Sequence, residues 1–476
     1  MGFSRRASVG LLLLAGLFFP LSALAQPEPA PPSSAGPIAT PQSPEAPPPP
    51  ALPQGPAAAP PEVPPSDPRT APVSPAPGPP ASPAAPAAPN DPKPQAESPP
   101  FELSGGPGKG LTAKFGDRFS LNVRSRFQLR YQLTVPPEDD AGERDVQQLV
   151  NINTVRLWLS GHILTPKLTY MIQLAFGARD YRDGTVSPIF DAYLDWKPHR
   201  DLSVRAGQFF LPFDRLRTIR EFALQLPDRP RPVAEFTLDR DAGLMLYSDR
   251  FLGDRSPVAW RLGVFGGGGT NLLNGKEPGA LVVGRLELRP LGPIDDDSEG
   301  DLERREKPGL AIGGGLAANW NTDRLRSTTG STFAGGTIDA YHAAADLVFK
   351  WRGFALEAEY LWKRSSVDQI LSTDEGGEPV TEPTRSGQGW VVQASYVFDP
   401  PIEIVGRLAR LYASEGTDPR FVTEVSSRGQ ETAAGVNYYL NDHRLKIQAG
   451  WVGRTPTDFD FSRAEHVASV LVDATF

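Results

Sequence analysis

Residues 119–133 read FSLNVRSRFQLRYQL, and the alternation in this stretch decides the fold. Phe119, Leu121, Val123, Phe127, Leu129 and Tyr131 share one face of an extended chain; Asn122, Arg124, Arg126, Gln128 and Arg130 share the other. Side chains of a strand point alternately to opposite faces, so a period of two marks a strand with one apolar and one wet face. The rhythm recurs at about 150–162, 168–176, 190–197, 202–206, 241–248, 257–265, 279–289 and 309–320. It continues at about 337–349, 353–364, 387–398, 402–413, 428–440, 443–453 and 466–476, which makes 16 segments. A strand crosses a bilayer with about 9–11 residues, half of them facing water. Only a closed barrel of such strands pairs every backbone N–H and C=O inside hydrocarbon. The expected fold is all-β: a 16-stranded antiparallel transmembrane β-barrel. A soluble sandwich or propeller is the competing arrangement. It does not call for aromatic strand ends such as Trp196, Tyr360, Trp362, Tyr438 and Trp451, nor for a terminal Phe476, read here as an assembly signal for the outer-membrane barrel-assembly machinery.

The connectors are expected to switch strictly between short and long. Short turns fall at 164–167, 198–200, 350–352, 399–401 and 441–442, each rich in turn formers. Long loops fall at 134–148, 179–188, 210–240, 266–278, 321–336, 365–386, 414–427 and 454–465, as an outer-membrane pore with periplasmic termini requires. An arginine on the lipid face costs about 2–4 kcal/mol near the midplane. Arg124, Arg126 and Arg130 must therefore face the lumen, and strand order brings Arg156 and Arg205 near them as a ladder of weak anion sites. In strand 190–197 the same alternation sends Phe190, Ala192, Leu194 and Trp196 outward and Asp191, Tyr193, Asp195 and Lys197 inward.

Before the barrel lie two segments of other character. Arg5 and Arg6, the apolar run 9–21 and Ala23-Leu24-Ala25 read as a signal peptide over 1–25. Residues 26–100 hold 30 of the 52 prolines and few large apolar side chains, so they cannot offset chain entropy by burial. They read as a disordered, polyproline-rich periplasmic linker, with tethering to peptidoglycan as a sharper alternative. Residues 101–118 read as a lead-in to the barrel. Net charge is −8, of which residues 1–100 carry 4 basic and 6 acidic groups, which argues against nucleic acid as a partner. Cysteine is absent, so neither disulfides nor thiolate chemistry are available.

The stretch from about 150 to 250 resembles the phosphate-selective porin family of Gram-negative outer membranes. The resemblance is carried by Asp191-Ala192-Tyr193-Leu194-Asp195-Trp196-Lys197, by Gly207-Gln208-Phe209 with Pro212-Phe213, and by Asp239-Arg240-Asp241-Ala242-Gly243. Strand 150–162, with Asn153-Thr154-Val155-Arg156-Leu157 and Gly161, is similar to the family's Arg-x-Arg-x-Gly strand but lacks one of its arginines. The resemblance implies a homotrimeric 16-strand porin whose third loop folds into the channel and whose basic residues conduct phosphate or longer phosphates. Loop 210–240 shows no register with the family, so no single phosphate contact is carried over.

That loop is the longest connector and holds Arg215, Arg217, Arg220, Arg229, Arg231 and Arg240. A guanidinium fork meets two oxyanion oxygens at once and keeps its charge at any relevant pH. Rings of Arg or Lys favour anions in pores. Each of these arginines reads equally well as an ion pair pinning the loop to the wall. Asp214, Glu221, Asp228, Glu235 and Asp239 nearly balance them, and Asp191, Asp195, Glu357, Glu359 and Glu403 fall on lumen faces. The sequence thus supports a passive, anion-preferring porin for small inorganic anions. Its alternatives are a general small-solute diffusion porin and a structural anchor acting through the Pro-rich segment.

No cofactor or enzymatic activity is expected, because no nucleophile, base and orienter converge. Asp295, Asp297, Glu299 and Glu306 take positions one, three, five and twelve of a calcium-loop spacing, but flanking helices are missing, and a solvated acidic turn is the reading.

Overall fold

In the computed structural model, residues 101–139, 142–177, 180, 187–272, 277–374, 376–399 and 401–476 are described. The expected signal peptide, 1–25, and the expected linker, 26–100, lie outside them. Two short strands come first, β1 (Phe101–Gly106) and β2 (Gly110–Phe115), followed by β3 (Phe119–Val135), β4 (Gln147–Ile163), β5 (Thr165–Ala175), β6 (Ile189–His199) and β7 (Leu202–Phe210). After a long loop come β8 (Arg240–Ser248), β9 (Val258–Phe265), β10 (Ala280–Leu288), β11 (Gly309–Thr322), β12 (Ile338–Trp351) and β13 (Phe354–Ser365). A small external hairpin, β14 (Gln369–Thr373) and β15 (Pro379–Pro383), precedes β16 (Gly387–Val397), β17 (Ile402–Ala413), β18 (Gln430–Asn441), β19 (Leu445–Thr455) and β20 (Glu465–Thr475).

Strands β3 to β13 and β16 to β20 pair antiparallel with their neighbours, and β20 returns to β3 from His466↔Val135 to Thr475↔Arg126. The 16-strand barrel is therefore closed, as the alternation required. Phe476 locks the seam: its N–H donates to the Ser125 carbonyl at 2.9 Å, and its own carbonyl accepts from the Ser125 N–H at 2.8 Å. Leu129, Leu194, Leu262, Val436 and Val470 lie exposed on the outside, while Arg126, Asp191, Arg285, Asp346, Lys446 and Asp473 are buried inside. This inverts the distribution of a water-soluble protein, as expected where hydrocarbon is the outer solvent.

At the short-turn rim the structure adds one element and corrects one expectation. The lead-in 101–118 is a hairpin: β2 pairs with the first residues of β3, Leu111↔Val123 to Phe115↔Phe119, where β20 no longer reaches. Its exposed Phe101, Leu103, Leu111 and Phe115 extend the outer apolar face of β3, with the Phe101 and Phe115 rings 4.9 Å apart. The strict alternation of connectors also fails, because 289–308 sits on the short-turn side and is long. It folds up into the barrel, burying Ile294, Asp296, Glu299 and Asp301. Its polar groups find partners there: Glu299 accepts from the Gln225 N–H at 2.6 Å, and Asp301 from the Gly353 N–H at 2.7 Å.

The connector between β7 and β8 also folds inward and crosses the lumen. It contains α1 (Arg215–Thr218), a 3-10 turn at Glu221–Ala223 and α2 (Arg231–Phe236). Asp214 caps α1 by accepting from the Arg217 N–H, and Pro232 sits in the first turn of α2, where a missing N–H costs nothing. Leu211, Phe213, Leu216, Val233 and Phe236 pack on lumen-facing Leu281, Ala344, Leu361, Val391 and Ala409, and on Phe421 of α3 (Pro419–Arg428). The wall from β10 to β17 therefore offers apolar side chains to the inside, because a loop rather than water covers it. Glycine makes the closest approach possible: a Cβ on Gly315 would lie 2.1 Å from the Phe213 carbonyl oxygen, and one on Gly450 would lie 2.6 Å from Pro227 Cδ. Gly315→Val is therefore expected to lower barrel stability by about 1–3 kcal/mol through overpacking against backbone, measurable as a lower heat-modification temperature on gels.

Candidate functional site

The loop from Leu211 to Asp239 is anchored along its whole course. Arg215, buried, donates to Asp346 (2.7 Å) and Asp296 (2.8 Å) and stands 3.7 Å from Glu287. The Glu359 carboxylate accepts from the Arg215 and Leu216 N–H groups at 3.0 and 2.9 Å. Farther on, the Leu224 carbonyl accepts from Lys446 (2.7 Å) and Gln448 (2.9 Å), and the Gln225 carbonyl from Asn437 (2.9 Å). Asp228 then meets Arg130 of β3 in a two-pronged pair, and Arg231 joins Glu424 of α3. The loop thus seals the β10–β19 side and leaves the passage between itself and the wall from β3 to β8.

A void of about 20 Å³ lies in that passage. Arg126 of β3, Arg156 of β4, Arg240 of β8 and Arg220 of the loop surround it, with Glu221 as the one carboxylate among its lining residues. The other neutralising carboxylates stand behind the arginines: Asp473 accepts both prongs of Arg126 and is fully buried, and Asp191 pairs with Arg240 at 2.8 Å and is buried. Asp180 takes both prongs of Arg156, while Arg220 donates to Gln173 at 3.1 Å and lies 3.8 Å from Asp191. Glu221 faces the void, 3.7 Å from Arg126 and 3.8 Å from Arg156. Its depth in the barrel pushes its pKa up, but Arg156 and Arg126 outweigh this and hold it at about 2. Asp239 is likewise pushed up by burial and pulled down to about 2 by Arg217 and Arg240. Both stay ionised through the physiological range.

On the long-loop side the void opens into a cavity of about 700 Å³, with which it shares Arg156, Phe190 and Glu221. Arg217 and Arg229 line this cavity; Arg217 pairs with Asp239, while Arg229 donates to the backbone carbonyls of Leu216, Arg217 and Ile219. Burial, then Arg217, lowers Arg229 to about 10, which leaves it charged at neutral pH. Arg124 has no carboxylate partner among the described residues and stands 5.7 Å over the Trp158 ring.

The arginines singled out in the sequence therefore divide. Arg126, Arg156, Arg220 and Arg240 meet around the small void, and Arg217 and Arg229 line the larger cavity. Arg130, Arg215 and Arg231 hold the loop in place. Arg205 lies apart, paired with Asp195 beneath Tyr193 and Tyr247. Of the resemblance-bearing residues, Gly207 and Gly243 face each other across the β7–β8 pair, and Phe213 is buried between the loop that carries it and the lumen wall. The acidic residues Asp295, Asp297, Glu299 and Glu306 do not converge: Glu299 turns inward to Gln225 while the other three are exposed.

Phe190 overturns the alternation in its strand. In the β5–β6 pairing Gln173 faces Asp191, but Leu174 faces Ile189, so Phe190 is the extra residue of a bulge. A bulge re-aims a side chain. The Phe190 ring accordingly lies in the lumen, with the Arg240 guanidinium between it (3.6 Å) and Phe210 (3.5 Å).

The model of the phosphate-selective porin O and P family matches residues 121–469, which spans the whole barrel apart from its ends. This chain belongs to that family. It is an outer-membrane porin, a channel protein and not an enzyme. No curated protein matches the porin. Among solved structures it is similar to the outer-membrane channel DcaP of Acinetobacter baumannii, with 12% identity over 75% of this chain and 98% of that one, at a TM-score of 0.46. It is also similar to an anion-selective porin from Comamonas acidovorans (12% identity, 75% and 100% covered, TM-score 0.46) and to Salmonella typhi OmpF (13%, 75% and 98%, TM-score 0.47).

Proposed function

We propose that this porin is a passive, anion-preferring channel, selected at the ring of Arg126, Arg156, Arg220 and Arg240. The observation that carries the reading is the placement of counter-charges: four guanidinium groups line the void of about 20 Å³ beside the loop and one carboxylate, Glu221, stands among them. The lumen carboxylates that weigh against anion preference in the sequence are out of the solute's way. Glu357, Glu359 and Glu403 are buried on the side covered by the loop, and Asp191 and Asp473 lie behind their arginines. The wider cavity is nearly balanced, with six guanidinium groups and five carboxylates on its wall, so it favours general entry and leaves selection to the ring. In a low-dielectric, narrow passage fixed charges act more strongly than in water. The segment before Phe101 is proposed as signal peptide 1–25 and periplasmic linker 26–100, and the assembly as a homotrimer.

Purified barrel in a planar bilayer under a KCl gradient tests this. A reversal potential of anion-selective sign is expected, with a chloride-to-potassium permeability ratio of about 3 or more, the effect of ~0.7 kcal/mol. A ratio at or below 1 would sink the proposal in favour of general or cation-preferring diffusion.

A further inference from the structure

We propose that the outer wall of this porin carries a binding site for a phosphorylated glycolipid of the outer leaflet, centred on Arg410 of β17. The barrel strands turn a mostly apolar face to hydrocarbon. Among the described residues their alternation places only two lysine or arginine side chains on that face, Arg364 of β13 and Arg410. Arg410 shares its side of the strand with Ile402, Ile404 and Leu408, which are exposed, whereas Val405, Arg407, Ala409 and Leu411 are buried on the lumen side. Both cations lie toward the long-loop ends of strands that only β16 separates.

From Ile402 to Arg410 the chain climbs about 20 Å, at about 3.3 Å per residue and a tilt of about 40°, which brings Arg410 to the external edge of an apolar band about 25 Å tall. Arginine is tolerated there because headgroups are within reach. Arg364 has a carboxylate beside it, Asp368 at 3.6 Å, in an exposed pair. Arg410 has none among the described residues. Its Nε is shut off from solvent without a hydrogen-bond partner, and its guanidinium lies 4.7 Å over the ring of Tyr412, nearer the rim on the same face. A guanidinium on an aromatic ring keeps its charge and still calls for an anion. Lipid is what reaches this face, since the solute path lies on the other side of the wall.

A lipid phosphate supplies the missing anion. A guanidinium fork meets two of its oxygens. The Tyr412 hydroxyl accepts from Trp390 Nε1–H at 3.4 Å and keeps its own proton to donate to a third. Trp390 stands across from Arg410 in the β16–β17 register, and Tyr360 across from Trp390, so the cation is set among aromatic rings. Such rings suit the C–H faces of a sugar, and acyl chains would run down over Leu408, Ile404 and Val392, which are exposed below. Because the long loops are external, this end of the strands meets the outer leaflet, which in Gram-negative outer membranes is built of phosphorylated glucosamine lipid. Charge, sugar and acyl chains together fit that lipid better than a zwitterionic phospholipid, whose ammonium group would compete with Arg410 for the phosphate.

The test is native mass spectrometry of the full-length porin in detergent, titrated with diphosphorylated lipid A, its dephosphorylated form, phosphatidylethanolamine and phosphatidylglycerol. Diphosphorylated lipid A is expected to bind about tenfold more tightly than the other three. Arg410→Gln is expected to remove that advantage, while Arg463→Gln, at an exposed ion pair before β20, leaves it in place. Should Arg410→Gln fail to fold, Tyr412→Phe is expected to weaken binding about threefold. The KCl reversal potential of Arg410→Gln is expected to match the wild type, because the residue faces away from the lumen; a shifted potential would put Arg410 in the ion path and overturn the site. Equal binding of the dephosphorylated lipid or of phosphatidylglycerol by the wild type, or undiminished binding of diphosphorylated lipid A by Arg410→Gln, overturns it as well. Loss of the oligomer in Arg410→Gln with lipid binding unaltered would assign this face to a neighbouring subunit instead.

Discussion

Replacing Arg215 with Ala is expected to raise single-channel conductance several-fold and to lower the heat stability of the barrel. Arg215 is the point where the loop is nailed to the far wall. Its guanidinium answers Asp346, Asp296 and, at 3.7 Å, Glu287, and the residue is buried. Removing one partner of a buried ionic network leaves the others uncompensated, at about 3–5 kcal/mol. Three carboxylates would then be left to Arg261, Arg285 and Arg289, since Arg285 pairs with Asp346 and Glu287, Arg289 with Glu287 and Asp296, and Arg261 with Glu287. The cheapest relief is for α1 to leave the wall and let water reach them. The loop would then open the sealed side of the lumen, so conductance should rise while anion preference falls, because ions would pass Glu357 and Glu359 instead of the ring. Arg463→Ala is the control: its partners Asp458 and Asp460 are exposed, and solvent screening leaves such pairs little effect on stability. Planar-bilayer recordings and heat-modified gel mobility read both effects. Unchanged conductance in a folded Arg215→Ala barrel would show that the apolar packing and the other anchors, from Glu359 to the Asp228–Arg130 pair, hold the loop without the Arg215 guanidinium.

The barrel was legible because its signal is local. Each strand states which face meets lipid through its own alternation, and Arg124, Arg126 and Arg130 could not be placed outside without a large cost. The pairing of those arginines was not legible, since it depends on closure. Arg126 finds Asp473 across 347 residues, and Arg130 finds Asp228 across 98. A ladder of free cations and a set of structural struts look alike in one strand. The bulge at Phe190 shifts a face by one residue and leaves no mark in the hydrophobic pattern. A signal did exist for the inward fold of the loop. Lumen-facing positions in β10 to β17 carry Leu281, Ala344, Leu361, Val391 and Ala409 where water would ask for polar groups, and β11 and β19 carry Gly315 and Gly450 where a side chain would otherwise stand. Apolar residues on both faces of a barrel strand announce that something other than water covers the inner one. The inward course of 289–308 had a weaker mark, its length, and the hairpin 101–115 reads as strand only once β3 is known to outrun β20.

Glu221→Gln is expected to raise the anion-to-cation permeability ratio about 3–10-fold. Glu221 is the carboxylate that looks into the void, and it lies between Arg126 and Arg156 without a short bond to either, at 3.7 and 3.8 Å. It therefore acts on the passing ion as much as on its neighbours. A unit charge about 6 Å from the path contributes roughly 0.7–2.8 kcal/mol for effective dielectric constants between about 80 and 20, less what salt screens. Glutamine keeps the shape and can still accept from Thr154, whose hydroxyl lies 3.3 Å from the carboxylate. Acidification should not imitate the substitution. With its pKa held at about 2, below the ordinary glutamate value because Arg156 and Arg126 favour the ionised form over the opposing effect of burial, Glu221 stays charged as pH falls from 7 to 4. Its protonation, and the loss of any stability the ion cluster gives, belong to the window below pH 4.5 and are complete only below about pH 2. Reversal potentials of the wild type at pH 7 and pH 4, set beside Glu221→Gln at pH 7, separate the cases. If the wild type at pH 4 matched the variant at pH 7, the two arginines would not be holding that carboxylate, and the ring would be a looser assembly than its distances imply.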